Sequence, residues 1–185
     1  MSKKYGFIID QERCIGCDCC TVACEKEKDP KQGFIRVIKE QTGVFPDLNI
    51  TYLPHLCNHC ENPPCVAGCP SDALKKRDDG IVIYDEDECE KCFTCVDACP
   101  YGEIHYYSSE DLLEKCDLCA HLIDQGKEPF CATCCEGQAI YFGDFNDPDS
   151  NVSLIAKRKN LFQLKPEMHT NPSVYYSPPV KKREL

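Results

Sequence analysis

The chain has no tryptophan and only two methionines among its 185 residues. It contains no run of 18 apolar residues, so nothing in it reads as a membrane-spanning helix and no direct membrane span is expected. Basic residues are in deficit, 21 Lys and Arg against 31 Asp and Glu, and the net charge of -10 excludes an extended cationic surface for nucleic acid. Apolar content is thin as well. Hydrophobic residues make up 42% of the chain, but that figure includes 18 cysteines, and the mean hydropathy is -0.43. Set the cysteines aside and roughly a third of the chain is apolar, little for a conventional core. The N-terminal MSKKYGFIID reaches Asp10 before any apolar stretch of signal-peptide length develops. The expectation is a protein without a signal peptide of its own, either cytoplasmic or exported together with a signal-bearing partner. The sequence also lacks a glycine-rich phosphate loop, a nucleophile set beside a base and a radical-type C-x3-C-x2-C motif, so no catalytic residue is expected.

What the chain has is cysteine, in four ordered groups. Cys14, Cys17, Cys20 and Cys24 form a C-x2-C-x2-C-x3-C run, and Cys89, Cys92, Cys95 and Cys99 repeat it with Pro100 following. Cys57, Cys60, Cys65 and Cys69, followed by Pro70, widen the middle gap to four residues. Cys116, Cys119, Cys131 and Cys135 widen it to eleven. The first and third runs have bacterial ferredoxin spacing, in which three thiolates on a tight loop reach one iron-sulfur cluster and the fourth ligates the other cluster of a pair. A zinc ribbon needs only two C-x2-C pairs and has no use for the remaining cysteines. A zinc or disulfide module is thus the weaker reading, and it would be colourless. Cys19 and Cys134 stand outside the groups and read as small apolar residues. His59, between two group-two cysteines, reads as a hydrogen-bond donor to a cluster sulfur or to backbone. His55, His105, His121 and His169 show no metal spacing.

The flanks repeat too. Phe7-Ile8-Ile9-Asp10 precedes Cys14 and Val82-Ile83-Tyr84-Asp85 precedes Cys89 at equal distance, which predicts a short strand, a cluster loop and a helix carrying the last cysteine. Asp79-Gly80 predicts a turn into the strand at Ile81, and Tyr101 to Tyr107 a further strand. Phe34 to Ile38 alternates and is expected to pair with Ile50 to Leu53 through a turn at Gly43 to Pro46. Beyond Phe145 prolines 148, 166, 172, 178 and 179 interrupt any period. Residues 151–185 hold seven of the 21 basic residues, Lys157, Arg158, Lys159, Lys165, Lys181, Lys182 and Arg183, and two acidic ones. They are expected to form an extended tail that docks on a partner.

Together with Cys57 to Cys65 (CNHCENPPC), Cys99 to Gly102 (CPYG), Lys115 to Cys119 (KCDLC) and Gly143 to Ser150 (GDFNDPDS), the cysteine order resembles the four-cluster electron-transfer subunits of molybdenum or tungsten bis-pterin oxidoreductases. That family includes subunits of dimethyl sulfoxide reductase, polysulfide reductase, formate dehydrogenase and pyrogallol transhydroxylase complexes. The resemblance covers roughly residues 5–150. It implies an α+β fold of two interleaved ferredoxin-like modules, with an inserted hairpin over 30–52 and the C-terminal arm over 151–185. The outer module takes groups one and four, residues 1–29 with 104–150. The central module takes groups two and three, residues 53–103. The implied ligands are Cys14, Cys17, Cys20 and Cys135 for cluster one and Cys116, Cys119, Cys131 and Cys24 for cluster two. Cluster three takes Cys57, Cys60, Cys65 and Cys99, and cluster four takes Cys89, Cys92, Cys95 and Cys69.

Glu136 stands where the family carries proline after the last cysteine, and Cys134 is an alternative to Cys135. Lys91 and Lys115 directly precede ligand positions, where an ammonium would offset cluster charge. The implied role is a non-catalytic subunit with four 4Fe-4S clusters, passing electrons between a molybdenum or tungsten pterin catalytic subunit and a redox partner. A membrane-anchor or quinone-reactive subunit is a further candidate partner. The alternative is a free polyferredoxin serving a hydrogenase, formate dehydrogenase or aldehyde oxidoreductase system, against which the long tail speaks.

Overall fold

The computed structural model describes residues 2–29 and 33–179; Lys181, Lys182 and Arg183 of the basic tail lie outside the described residues. Strand β1 (Tyr5–Asp10) leads into the group-one loop, and helix α1 (Cys19–Lys28) follows. Asp18 before the helix is left-handed at φ 59°, which turns the loop into the helix axis, and Lys26 and Lys28 in the last turn complement its dipole. Strands β2 (Ile35–Thr42) and β3 (Asn49–Leu56) form the hairpin expected between groups one and two, in register from Ile35 opposite Leu56 to Thr42 opposite Asn49. Group two then contributes α2 (Pro64–Ala67), which starts on a proline as first turns allow, and β4 (Leu74–Lys76).

The strand before group three is β5 (Val82–Tyr84), antiparallel to β4, and α3 (Thr94–Ala98) follows its loop. Strands β6 (Ile104–Tyr107) and β7 (Leu112–Lys115) make another antiparallel pair. Group four carries α4 (Ala120–Ile123) and α5 (Phe130–Thr133) and ends in β8 (Ile140–Asp144). β8 lies antiparallel against β1, with Phe7 opposite Phe142, so the strand before group one and the strand after group four share a sheet. Short helices and small sheets thus make the mixed α and β architecture that the spacing predicts.

The C-terminal segment differs from expectation. Through residue 179 it is not an extended arm. Helix α6 (Asn151–Ala156) is capped by the Ser150 hydroxyl, which accepts from Ser153 N at 3.2 Å, and β9 (Val174–Ser177) joins β1 in parallel as the third strand of its sheet. Val174 and Tyr176 have no exposed surface, and the Tyr176 hydroxyl donates to Pro54 O at 3.1 Å. Gly6 makes room for the segment, because a Cβ there would sit 2.2 Å from Ser173 O. The basic residues that are described lie along the body. Lys159 pairs with the buried Asp10 at 2.6 Å, and the Lys165 ammonium donates to Pro100 O. The prolines that break the period in sequence bound short segments here instead of dissolving them.

Two clusters of apolar residues form the core, and cysteines belong to both. One joins Phe7, Ile9, Phe142, Val174 and Tyr176 to Cys20, Cys24 and Cys131, with Cys116 and Cys135 packed against it. The other joins Leu74, Val82, Ile104 and Leu113 to Cys65 and Cys95, with Cys69 and Cys99 against it.

Candidate metal centres

No two cysteines form a disulfide, and the four groups meet in crossed pairs. Cys116, Cys119 and Cys131 line one enclosed cavity with Cys24 of group one. Cys57, Cys60 and Cys65 line a second with Cys99 of group three. Cys14, Cys17 and Cys20 line a third with Cys135 of group four, and Cys19 is also at its wall. Cys69, Cys89 and Cys92 are the thiols whose charge raises the pKa of Cys95, after its burial. Three of the sets implied by the resemblance thus line one cavity each.

Local backbone geometry explains why the spacing works. The residue two after the first cysteine of each group, Gly16, His59, Lys91 and Leu118, is left-handed, with φ of 68°, 41°, 54° and 59°. That twist turns its N–H back on the cysteine sulfur. Lys91 N donates to Cys89 Sγ and Leu118 N to Cys116 Sγ, both at 3.4 Å. Gly16 and His59 present the same bond to Cys14 and Cys57. At Gly16 a side chain is excluded twice, by φ and by the Tyr52 ring 2.3 Å from where a Cβ would stand. The last cysteines share a second pattern. Glu103 N donates to Cys99 Sγ at 3.5 Å and Ala139 N to Cys135 Sγ at 3.2 Å, each from four residues on.

This pattern separates Cys135 from Cys134. The Cys134 thiol points to backbone, 3.5 Å from Cys19 O and 3.7 Å from Cys131 O, and lines an open surface groove with Glu136. Cys19 is half-buried and its thiol hydrogen-bonds to Cys17, so it is not the buried apolar filler expected of it.

Burial pushes the Cys20 and Cys65 thiols up to about 12 and the Cys60 and Cys119 thiols up to about 11, and neighbouring thiols add to the effect. Burial likewise raises the Cys116 and Cys131 thiols well above their usual value. Four thiolates in such a cavity need a cationic core to hold them, and ligation releases their protons. The spacing of the donors bears on which core. Among the described residues no three His, Cys, Asp or Glu side chains converge on a point that one metal ion could occupy. Sulfurs standing around a cavity suit a core of several irons, whereas a tetrahedral zinc needs them gathered about 2.3 Å from one centre.

Orphaned polar atoms mark the second cavity. His59 Nδ1 accepts from Val82 N at 3.0 Å, which leaves its proton on Nε2, and that nitrogen is buried with no protein partner. Burial holds the imidazole pKa well below its usual value. Both side-chain atoms of Asn58, which also lines the cavity, are likewise buried and unpartnered. Donors of this kind fit a group that brings acceptor sulfurs with it. Among the other histidines, His55 Nδ1 contacts the buried Glu103 Oε1 at 2.5 Å and His121 Nε2 contacts Glu27 at 2.8 Å.

Sequence reasoning missed the residues that close over the group-two loop. Asn62 N donates to Thr170 O at 3.0 Å, Ser173 N to Asn58 O at 2.8 Å and Ser173 Oγ to His59 O at 2.9 Å. The Thr170 hydroxyl also bonds to Tyr101 and to Cys60. No local signal marks them, because their partners lie 69 or more residues earlier.

The 4Fe-4S dicluster domain family matches residues 48–145. The chain is 40% identical over 179 residues to a subunit of tetrathionate reductase from Salmonella typhimurium, covering 94% of the chain and 72% of that protein. It is 37% identical over 191 residues to a subunit of anaerobic dimethyl sulfoxide reductase from Escherichia coli, covering 96% and 93%. It is 32% identical over 223 residues to the arsenate respiratory reductase iron-sulfur subunit of a Shewanella species, covering 94% and 95%. With its cysteine cavities, the protein belongs to the 4Fe-4S dicluster family and is an electron-transfer subunit, not a catalytic one, among the iron-sulfur subunits of reductase complexes.

Proposed function

We propose that the chain carries single electrons between a molybdenum or tungsten bis-pterin catalytic subunit and a redox partner, through four 4Fe-4S clusters held by sixteen thiolates. The ligand sets are Cys14, Cys17, Cys20 and Cys135; Cys116, Cys119, Cys131 and Cys24; Cys57, Cys60, Cys65 and Cys99; and Cys89, Cys92, Cys95 and Cys69. The observation that carries the reading is the crossing: three enclosed cavities each draw three thiols from one group and one from another. Bound there, a 4Fe-4S cluster supplies reversible one-electron chemistry.

The protein's own contribution is position and environment. Crossed ligation ties groups one and four into one module and groups two and three into another, with the hairpin β2–β3 inserted between. Leu118, Phe34 and Leu56 wall off one inner cavity, and Val82, Tyr101 and Ile104 wall off the other. Of the sixteen thiols only Cys17 and Cys92 are exposed, one in each outer set. The outer sets are thus the two faces at which electrons enter and leave, and the inner sets are shielded from water. The C-terminal segment does not decide between a subunit and a free polyferredoxin, because through residue 179 it is part of the fold. The relatives, all subunits of complexes by name, favour the first.

Native purification under anaerobic conditions tests the reading. We expect about sixteen iron and sixteen acid-labile sulfide per chain, and co-elution with a pterin-containing subunit. A fully loaded chain that elutes alone would support the polyferredoxin alternative, and far less iron would overturn the four-cluster assignment.

A further inference from the structure

One buried charge has no role in the reading above. Lys115, the last residue of β7, is 5% exposed. Its ammonium donates to Val82 O at 2.5 Å and to Cys116 O at 2.6 Å, both neutral backbone oxygens. No carboxylate pairs with it among the described residues, whereas Lys28 pairs with Asp117 and Lys91 with Asp111. An ammonium taken out of water and given only neutral acceptors is costly unless an anion stands near it. What stands near Lys115 is cysteine. Its side chain lines the cavity of Cys57, Cys60, Cys65 and Cys99, and the next residue, Cys116, lines the cavity of Cys24, Cys119 and Cys131. The two cavities adjoin at this point. After burial itself, the strongest charge acting on Cys116 is Cys57 from the other set, with Lys115 next.

We propose that Lys115 is the shared counter-charge of the two inner clusters and raises the reduction potential of both. The inference rests on the cluster assignment above. An electron entering either site adds one negative charge, with no bond made or broken and no proton moved. Four thiolates already make such a site anionic. A fixed cation in a site of low dielectric then stabilises the reduced form more than the oxidised one. Placed between two sites, it acts on both and keeps their potentials close, which eases transfer across the boundary between the groups-one-and-four half and the groups-two-and-three half.

The test is a redox titration of the full, cluster-loaded chain followed by electron paramagnetic resonance, with the inner clusters identified through Cys119→Ser and Cys65→Ser. Lys115→Gln keeps a donor for the two carbonyls and removes the charge; Lys115→Arg keeps the charge; Lys91→Met removes an exposed lysine beside an outer ligand. In Lys115→Gln we expect the reduced-to-oxidised ratio of both inner clusters at a fixed potential to fall about tenfold, equivalent to 59 mV for a one-electron couple. The outer clusters of Lys115→Gln, all clusters of Lys115→Arg and the inner clusters of Lys91→Met should stay within about twofold of wild type, under 20 mV on the same scale. A fully loaded Lys115→Gln whose inner clusters titrate as wild type, or whose four clusters shift equally, overturns the proposal. So does a Gln variant that fails to load while the Arg variant loads normally, since that assigns the residue to assembly. Iron and sulfide far below about sixteen in the wild type would instead indict the cluster assignment itself.

Discussion

Asp10 shows how single residues bind the two ends of the chain together. It closes β1 with no exposed surface, and its carboxylate accepts from Lys159 Nζ at 2.6 Å, Ser177 Oγ at 2.8 Å and Glu12 N at 3.2 Å. Burial alone would raise its pKa, but the bonds from Lys159 and Ser177 outweigh burial and hold it below the usual carboxylate value. Asp10 reciprocally holds the Lys159 pKa above the usual lysine value. The signs set the window. A depressed carboxyl contributes stability above its unfolded pKa, near about 4, and loses it as pH falls through the folded value; a raised lysine contributes below about 10.5 and loses it as pH rises beyond. Both groups stay charged between. Lys159→Met should therefore cost about 1–3 kcal/mol, the desolvation penalty of a buried acceptor left short of a donor, and the loss should be constant between pH 5 and 7 in denaturant unfolding of the loaded protein. Adding Asp10→Asn should recover part of it. A single variant within about 0.5 kcal/mol of wild type would show that the pair does not anchor the segment.

At the scale of elements, β9 is the piece most dependent on distant partners. Tyr176 is fully buried, its ring packs on Phe162 at 5.8 Å between centroids, and its hydroxyl reaches back to Pro54 O in β3. Tyr176→Ala should cost about 3–5 kcal/mol by loss of a buried aromatic, and Tyr176→Phe about 1 kcal/mol by loss of one hydrogen bond. Both are measurable as lower denaturant midpoints with unchanged iron content. An alanine variant of near-native stability would mean that the third strand is dispensable. The contrast between β9 and β1 shows what the sequence makes legible. The strand Phe7 to Asp10, the turn at Gly80, the hairpin after Phe34 and the four cysteine groups can all be read from neighbours within about a dozen residues. β9 cannot, because its parallel register pairs Ile9 with Tyr176 and its four residues are too few to show a period between Pro172 and Pro178. Burial of charge is illegible in the same way. Lys115 reads as a cation beside Cys116 that would offset cluster charge, but nothing in the sequence marks its burial, nor that of Glu103, which lies under Arg36 at 2.9 Å and His55 at 2.5 Å. Cys135 over Cys134 could be preferred from the x3 spacing, but only the Ala139 N–H on its sulfur gives the physical reason.

For the molecule as a whole, the thin apolar content now has a structural counterpart. Cys20, Cys24 and Cys131 are core residues of one apolar cluster and Cys65 and Cys95 of the other, so each core surrounds metal sites instead of standing apart from them. Between the crossed sets, each site ties together segments far apart in sequence, Cys14 with Cys135 and Cys24 with Cys116. Empty of iron, those cavities would leave buried thiols around space that the sparse aliphatic residues cannot fill, and the loop-closing links would vanish with the metal. Binding energy at these sites is therefore folding energy. Anaerobic removal of iron by a chelator should abolish the cooperative thermal transition and expose the whole chain to protease, including β9, whose partner strand β1 is held by the group-one loop. The measurement is calorimetry and limited proteolysis on loaded and stripped protein side by side. A stripped chain that still melts cooperatively within about 5 °C of the loaded one would show that the apolar clusters suffice alone. The opposite result would mean that the thiols proposed as cluster ligands also hold the fold, so that a cluster cannot be lost without loss of the surrounding structure.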